Sequence, residues 1–285
     1  MRLRFNASSA THTAIPYEAT SVGSGELLGA LGLTRNGEPP AIDLVAPDDE
    51  SPLQLRLAGT VTRLDRDSGL IAARDKSTDR AAMASIRRKA NSPFASQLRQ
   101  IVAGITGSRS ARAMTHGIVV TSVGARAETS LVAAALAVTC AMTGYRVLLV
   151  DANLARPSMH KLFGVSNEVG LADLLNSVDP PNFLAQPTAI PNLAVVSAGS
   201  RAFDHASLLS RQRVRHRLDS IAASFDYMFI DASSLPPALL ARLAADSEHV
   251  AIAVKRHHSS VADLEKMLRV LRQEGIDNTS VLVLD

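Results

Sequence analysis

The sequence predicts an α/β domain built on a mostly parallel sheet with helices on both faces, preceded by a flexible N-terminal region. Three observations carry this. From Gly117 onward, short and nearly continuous apolar runs alternate with helical patterns, as in parallel sheets buried on both sides. Residues 117–137 read GIVVTSVGARAETSLVAAALA: a β-branched run, a turn of small residues, then an alanine-rich helix. The chain is 46% apolar but only 4% aromatic and has no Trp, a composition suited to an Ala/Leu/Val core.

The strands are expected at 118–121, 146–150, 193–197, 227–230, 250–254 and 281–284. Between them fall helices at 130–143, 171–176, 207–224, 236–244 and 259–274. Upstream, SPFASQLRQIVAGI over 92–105 has helical spacing at Phe94, Leu98, Ile101 and Val102. Ser92 stands as its N-cap, with Pro93 in first position. Residues 1–90 lack steady periodicity and hold turn-rich polar clusters such as NGEPPA, APDDESP and RDKSTDR. They are expected to be largely disordered, with Glu26–Leu33 as a short interaction helix. The chain therefore divides into an N-terminal region, 1–90, and a folded domain, 91–285.

Charge and composition exclude several classes. The net charge is +3; residues 1–115 carry 15 Lys and Arg against 11 Asp and Glu, and residues 116–285 carry 15 against 16. That imbalance is too weak to imply nucleic acid, and the scarcity of aromatics argues against a base-stacking binder. The single cysteine, Cys140, lies in an apolar helix pattern and reads as core; with one Cys no internal disulfide forms. The N-terminus has no apolar signal segment, and the longest apolar run, 131–142, is too short for a bilayer. The expected location is the cytoplasm, with recruitment to the inner membrane through a partner.

The turn at 122–130 stands where a phosphate-binding loop belongs, between a buried strand and a helix N-terminus. Gly124, Arg126, Thr129 and Ser130 are its candidate phosphate-binding residues. Asp151 and Asp231 end neighbouring apolar strands, and with Ser130 they frame a Mg²⁺–nucleotide site. The plainer alternative is that each Asp caps the loop or helix that follows it. Arg211, Arg213, Arg215 and Arg217 alternate along one helix and are expected to form a solvated face, or a face for an acidic partner or anionic lipid. His257 and His258 lack acidic or Cys neighbours and are read as loop.

Four segments in order, VTSVGARAETSLVAAALA, YRVLLVDANLARPSMHKLFGVSNEVGLADLL, NLAVVSAGSRAFDHASLL and FDYMFIDASS, resemble the landmarks of the bacterial tyrosine kinases. These are cytoplasmic domains of capsular and exopolysaccharide co-polymerases, within the MinD/ParA branch of P-loop NTPases. The resemblance covers residues 92–285. It implies a P-loop NTPase-like fold and a membrane co-polymerase (chain-length determinant) as partner, with homo-oligomers as a further possibility.

The departures fall on the chemistry. Where the family carries proline-glycine-acid-glycine-lysine-serine, this chain has Ala125, Arg126, Ala127, Glu128, Thr129 and Ser130. The second aspartate of the next motif is Asn153, and the arginine pair after it is Ala155 and Arg156. The family's threonine and prolines after the Asp231 strand are Ala232, Ser233 and Ser234. A Glu and two Arg that serve ring assembly correspond to Ser96, Arg99 and Val102. The family's tyrosine-rich tail is expected to be missing; the tyrosines are Tyr17, Tyr145 and Tyr227, the last two expected to pack at strand starts.

Lys→Thr and Gly→Glu shift the loop by two charge units against phosphate. Each unit is worth about 3 kcal/mol at ~5 Å and an effective dielectric of ~20. The expectation is a degenerate, pseudokinase-like protein that acts in exopolysaccharide synthesis or export by binding, with no cofactor. Two alternatives stay open. One is an active ATPase or protein-tyrosine kinase, using Arg126 or a partner's Lys, with Asp151 and Asp231 as catalytic groups and ATP and Mg²⁺ bound. The other is a MinD/ParA-like spatial regulator.

Overall fold

The computed structural model describes residues 4–5, 15–16, 56–61, 93–106, 115–124, 127–176, 184–199, 214–233, 235–245, 247–255 and 259–284. The expectations for the 26–33 helix, Tyr17, Ala125, Arg126, Arg211, Arg213, Ser234, His257 and His258 lie outside these residues.

Eight strands form one sheet: β1 (Arg56–Val61), β2 (His116–Ser122), β3 (Val147–Asp151), β4 (Gln186–Pro187), β5 (Leu193–Val196), β6 (Tyr227–Asp231), β7 (His249–Lys255) and β8 (Thr279–Leu284). Their spatial order is β1-β8-β7-β2-β6-β3-β5-β4. Every pairing is parallel except β4 with β5. Arg4–Phe5 and Ile15–Pro16 form a separate two-residue antiparallel pair.

The apolar runs explain this geometry. In β2, β3 and β6 every residue is buried, so the strands are covered on both faces. Alternate residues divide between two cores, as the period of two requires. Val119, Leu148, Val150, Met228, Ile230, Val250 and Ile252 pack toward α4 (Leu171–Asn176), α5 (Val214–Ala222), α6 (Pro237–Ala244) and α7 (Val261–Gln273). Ile118, Val120, Val147, Leu149, Phe229 and Ala251 pack toward α1 (Pro93–Thr106), α2 (Ala127–Met142) and α3 (Met159–Phe163).

Helix α2 is buried on all sides from Thr129 to Ala141, including Cys140 at 0% exposure. Its run of alanines lets the backbone lie close to the sheet while α1 covers it from outside. Leu98, Ile101 and Val102, from the stripe the helical spacing predicts, supply that cover together with Ile105. Ser96 and Arg99 lie on the exposed side of α1, whereas Val102 is core. Tyr227 is buried and meets the half-buried Tyr145 edge to face at 5.0 Å, so both are packing residues as expected.

The alternation of strands and helices matches the sequence reading to within a few residues at each end, except that the first part of the helix expected at 207–224 lies outside the described residues, which show it over Val214–Ala222. Three elements were not anticipated. Strand β1 comes from the region assigned to disorder, yet pairs with β8 through a register shift between Val281 and Leu282. Gly59 within RLAGTV breaks the apolar run and hides it. Helix α3 is only five residues long, and β4 only two. Arg217, assigned to a solvated face, is instead half-buried and donates from Nη1 to the Leu174 carbonyl at 2.6 Å, capping the end of α4. No helix among the described residues is long and apolar enough to cross a membrane.

Candidate functional site

Strand β2 lies inside the sheet, and the chain leaves it to build β3 and β5 on one side and β7 and β8 on the other. This reversal of direction opens a crevice at the carboxyl ends of the strands, the usual place for a ligand in such folds. Ser122 ends β2; its Oγ donates to the Gly124 carbonyl at 2.8 Å and closes the turn. Gly124 has φ +81°, a conformation that favours glycine. The chain then enters α2, whose first turn holds Glu128, Thr129 and Ser130. Thr129 is 1% exposed and Ser130 2%.

The two aspartates come together as expected. Asp151 and Asp231 are register partners at the ends of β3 and β6, and both are fully buried. Their surroundings differ. Asp151 Oδ1 accepts from the Asn153 N–H at 3.2 Å, and Oδ2 accepts from the Ser158 and Met159 N–H groups, each at 3.0 Å. Asp151 thus caps the start of α3 from the neighbouring strand end, the plainer of its two expected roles. Asp231 Oδ1 accepts from the Ser233 N–H at 3.1 Å, while Oδ2 is buried without a hydrogen bond.

Burial pushes the Asp151 carboxyl up to about 7, and the Asp231 charge adds to the shift against the three N–H donors. Burial also raises Asp231 above the ordinary carboxylate range, opposed by the nearby Ser130 and Ser233 hydroxyls and the Ser233 N–H.

Between the turn and these carboxylates sits a cluster of neutral side chains. The Ser130 and Ser233 hydroxyls are 3.1 Å apart. Asn153 Nδ2 donates to Ser233 Oγ at 3.0 Å and to Ser130 Oγ at 3.4 Å, while its Oδ1 accepts from the Arg156 N–H at 3.2 Å. Asn153 and Ser233 figured in the sequence only as departures from a motif; here they form the centre of the site. Their signal was their adjacency, two positions on, to the two strand-end aspartates.

This donor set does not fit Mg²⁺ as it stands. A hard cation needs several free oxygens converging on it. Both Asp151 oxygens are engaged by backbone N–H groups, and Ser130 Oγ faces the hydrogens of an amide. Only Asp231 Oδ2 offers an unused oxygen among the three residues expected to hold the metal. Among the described residues, no three His, Cys, Asp or Glu cluster as metal ligands.

A second tightly built region lies behind the site, at the ends of β5 and α4. Gly170 packs so closely that a Cβ there would lie 2.2 Å from the Ser197 carbonyl oxygen and 2.3 Å from the Gly199 nitrogen. The Leu171 and Ala172 N–H groups donate to the carbonyls of Ser197 and Ala198 at 2.8 and 2.9 Å. Asn167 clasps Gly199 through both amide atoms, at 3.0 and 3.1 Å. Gln186 clasps Ser166 in the same way, with both bonds at 2.8 Å.

No family model matches the chain. It is similar to the tyrosine-protein kinase ptk of Acinetobacter johnsonii, 28% identical over 151 residues, which is 52% of this chain and 20% of that protein. It is also similar to the tyrosine-protein kinase wzc of Salmonella typhi, 28% identical over 176 residues, 60% of this chain and 24% of that one. The chain thus spans about a fifth to a quarter of the length of these relatives. The kinase domain of the Escherichia coli tyrosine kinase ETK has the same fold, with a TM-score of 0.67 at 20% identity over 81% of this chain and 90% of that domain.

Proposed function

We propose that this chain, a relative of the bacterial tyrosine kinases, is a non-catalytic member of an exopolysaccharide or capsule pathway. It acts by binding a membrane co-polymerase partner, without hydrolysing ATP. The observation that carries this reading is the neutral cluster of Ser130, Ser233 and Asn153 at the phosphate turn, beside a buried Thr129 at the place of the family's lysine. Phosphoryl transfer depends on cationic groups that meet charge on the transferred phosphoryl group. Thr129 and Ser130 offer none, and Glu128 brings the opposite charge.

Calorimetric titration of the purified protein with ATP or ADP plus MgCl₂ tests the reading. The expected result is no binding by the wild type and measurable binding by the Glu128→Gly/Thr129→Lys double variant. Micromolar binding by the wild type would overturn it. A deletion strain supplies the cellular counterpart. Polysaccharide export should be lost on deletion and restored by Asp231→Ala, since a contact role does not use that carboxylate. Failure of Asp231→Ala to restore export, with the protein present at normal levels, would count against the reading.

One observation favours an active ATPase or kinase instead: the paired Asp151 and Asp231 persist in register, with Asp231 Oδ2 unused. ATP turnover abolished by Asp151→Ala would establish that alternative.

A further inference from the structure

The centre of the site contains a hydrogen-bond donor beside the residues that the sequence reading assigned to a cation, Ser130, Asp151 and Asp231. Asn153 directs its NH₂ group to both the Ser130 and the Ser233 hydroxyls, and its carbonyl toward the Arg156 N–H. The amide cannot be turned over without setting NH₂ against an N–H donor at Arg156, so its orientation is determined by the backbone. Ser130 and Ser233 accept from Asn153, and one of the two hydroxyls donates to the other across 3.1 Å. The result is a closed triangle of one amide and two hydroxyls, set beside the buried Asp231 carboxyl. Ser130 is 23 residues from Asn153 and Ser233 is 80, so one side chain ties the ends of β3 and β6 to the start of α2.

We infer that the Asn153 side-chain amide takes the part of a bound divalent cation, holding the phosphate turn, β3 and β6 together without metal. The inference deepens the reading of a site that works without nucleotide and rests on it. The chemistry is that of substitution. An NH₂ group presents partial positive charge to the same oxygens a cation would draw together, and it costs no metal desolvation. A carboxylate at position 153 would reverse this. It would set a third acid beside Asp151 and Asp231 and turn the cluster into one that needs a cation to hold it.

The test measures thermal unfolding of the full chain without nucleotide, in EDTA, in millimolar MgCl₂ and in NaCl of equal ionic strength. The wild-type midpoint should be the same in all three. Asn153→Ala should lower it by about 3–6 °C in all three, the loss expected for a buried two-bond donor. Asn153→Asp should melt lower than the wild type in EDTA and NaCl, and recover in MgCl₂. An Asn153→Asp protein that gains nothing from MgCl₂, or does not fold in any buffer, overturns the inference. So does a wild type stabilised by MgCl₂ as much as the variant, or an Asn153→Ala midpoint equal to that of the wild type. Nucleotide binding by the wild type in calorimetry would instead overturn the function proposed above. These melts contain no nucleotide, so the two failures can be told apart.

Discussion

Stability should fall as pH rises from about 4 to about 7, and replacing Asp151 by Asn should reduce that slope. The sign follows from the direction of the shift. The Asp151 carboxyl titrates near 3.8 in an unfolded chain and near 7 in the fold, because burial and the neighbouring Asp231 disfavour its charge. Below pH 4 both states carry the proton. Between pH 4 and 7 only the folded state keeps it, so each step upward favours unfolding. Above pH 7 both states are ionised and the loss is complete. A displacement of about three units sets a ceiling of about 4 kcal/mol. Asp231 shifts in the same direction from the same principal cause, so it adds to the slope.

His160 works the other way, since burial and Lys161 lower it and its neutral form is the one the fold prefers. It is half-buried, and its contribution is the smaller. Urea unfolding at a series of pH values, on wild type and Asp151→Asn, measures the slope. The variant keeps an acceptor for the N–H groups at the start of α3 and cannot ionise there, so its curve should be shallower, keeping the slope that Asp231 contributes. An equal slope in both proteins would show that Asp151 keeps an ordinary carboxyl and that the site is wetter than its burial implies.

The second large effect is expected at Gly170. Adding one methyl group there should destabilise the protein by about 3 kcal/mol, read as a drop in the urea midpoint with an unchanged slope. The reason is contact with backbone. The added carbon would lie 2.2 Å from the Ser197 carbonyl oxygen and 2.3 Å from the Gly199 nitrogen. Neither atom can swing aside, because the Ser197 and Ala198 carbonyls accept the first N–H groups of α4 and Gly199 is clasped by Asn167.

Gly144 makes a useful contrast. A Cβ there would meet nothing within 4 Å, but φ is +101°, so Gly144→Ala should cost only about 1–2 kcal/mol of backbone strain. If the two substitutions cost the same, the close approach of the 170 and 197–199 segments would be wrong.

Much of this architecture is legible in the chain itself. The VLLVD and YMFID runs are buried at every position, and their order along the chain places two aspartates at one end of one sheet. The helix at 171–176 was read to the residue, because LADLLN carries its own apolar pattern. Strand β1 was not legible. RLAGTV has a glycine in its middle and lies 31 residues before the next described element, so nothing local marks it as a strand. Among the described residues, it is the outer edge of β8 that gives those backbone groups a partner. Arg217 departs from the solvated face its spacing predicts for a related reason. Its spacing along α5 says nothing of the Leu174 carbonyl, 43 residues away, that holds its guanidinium.

What the sequence determined by itself, then, is the layered α/β fold, the position of the turn between β2 and α2, and the pairing of Asp151 with Asp231. Each follows from a local apolar period or a strand end, and those are properties of neighbouring residues. What only the tertiary structure decided is the state of the groups inside the crevice. Asp151 is spent on capping α3 and Asp231 keeps one oxygen unused. Asn153, which as a sequence letter is only a missing charge, becomes the donor that joins three elements. Hydrogen bonds in a buried cluster depend on distances between residues far apart in the chain, and packing sets those distances.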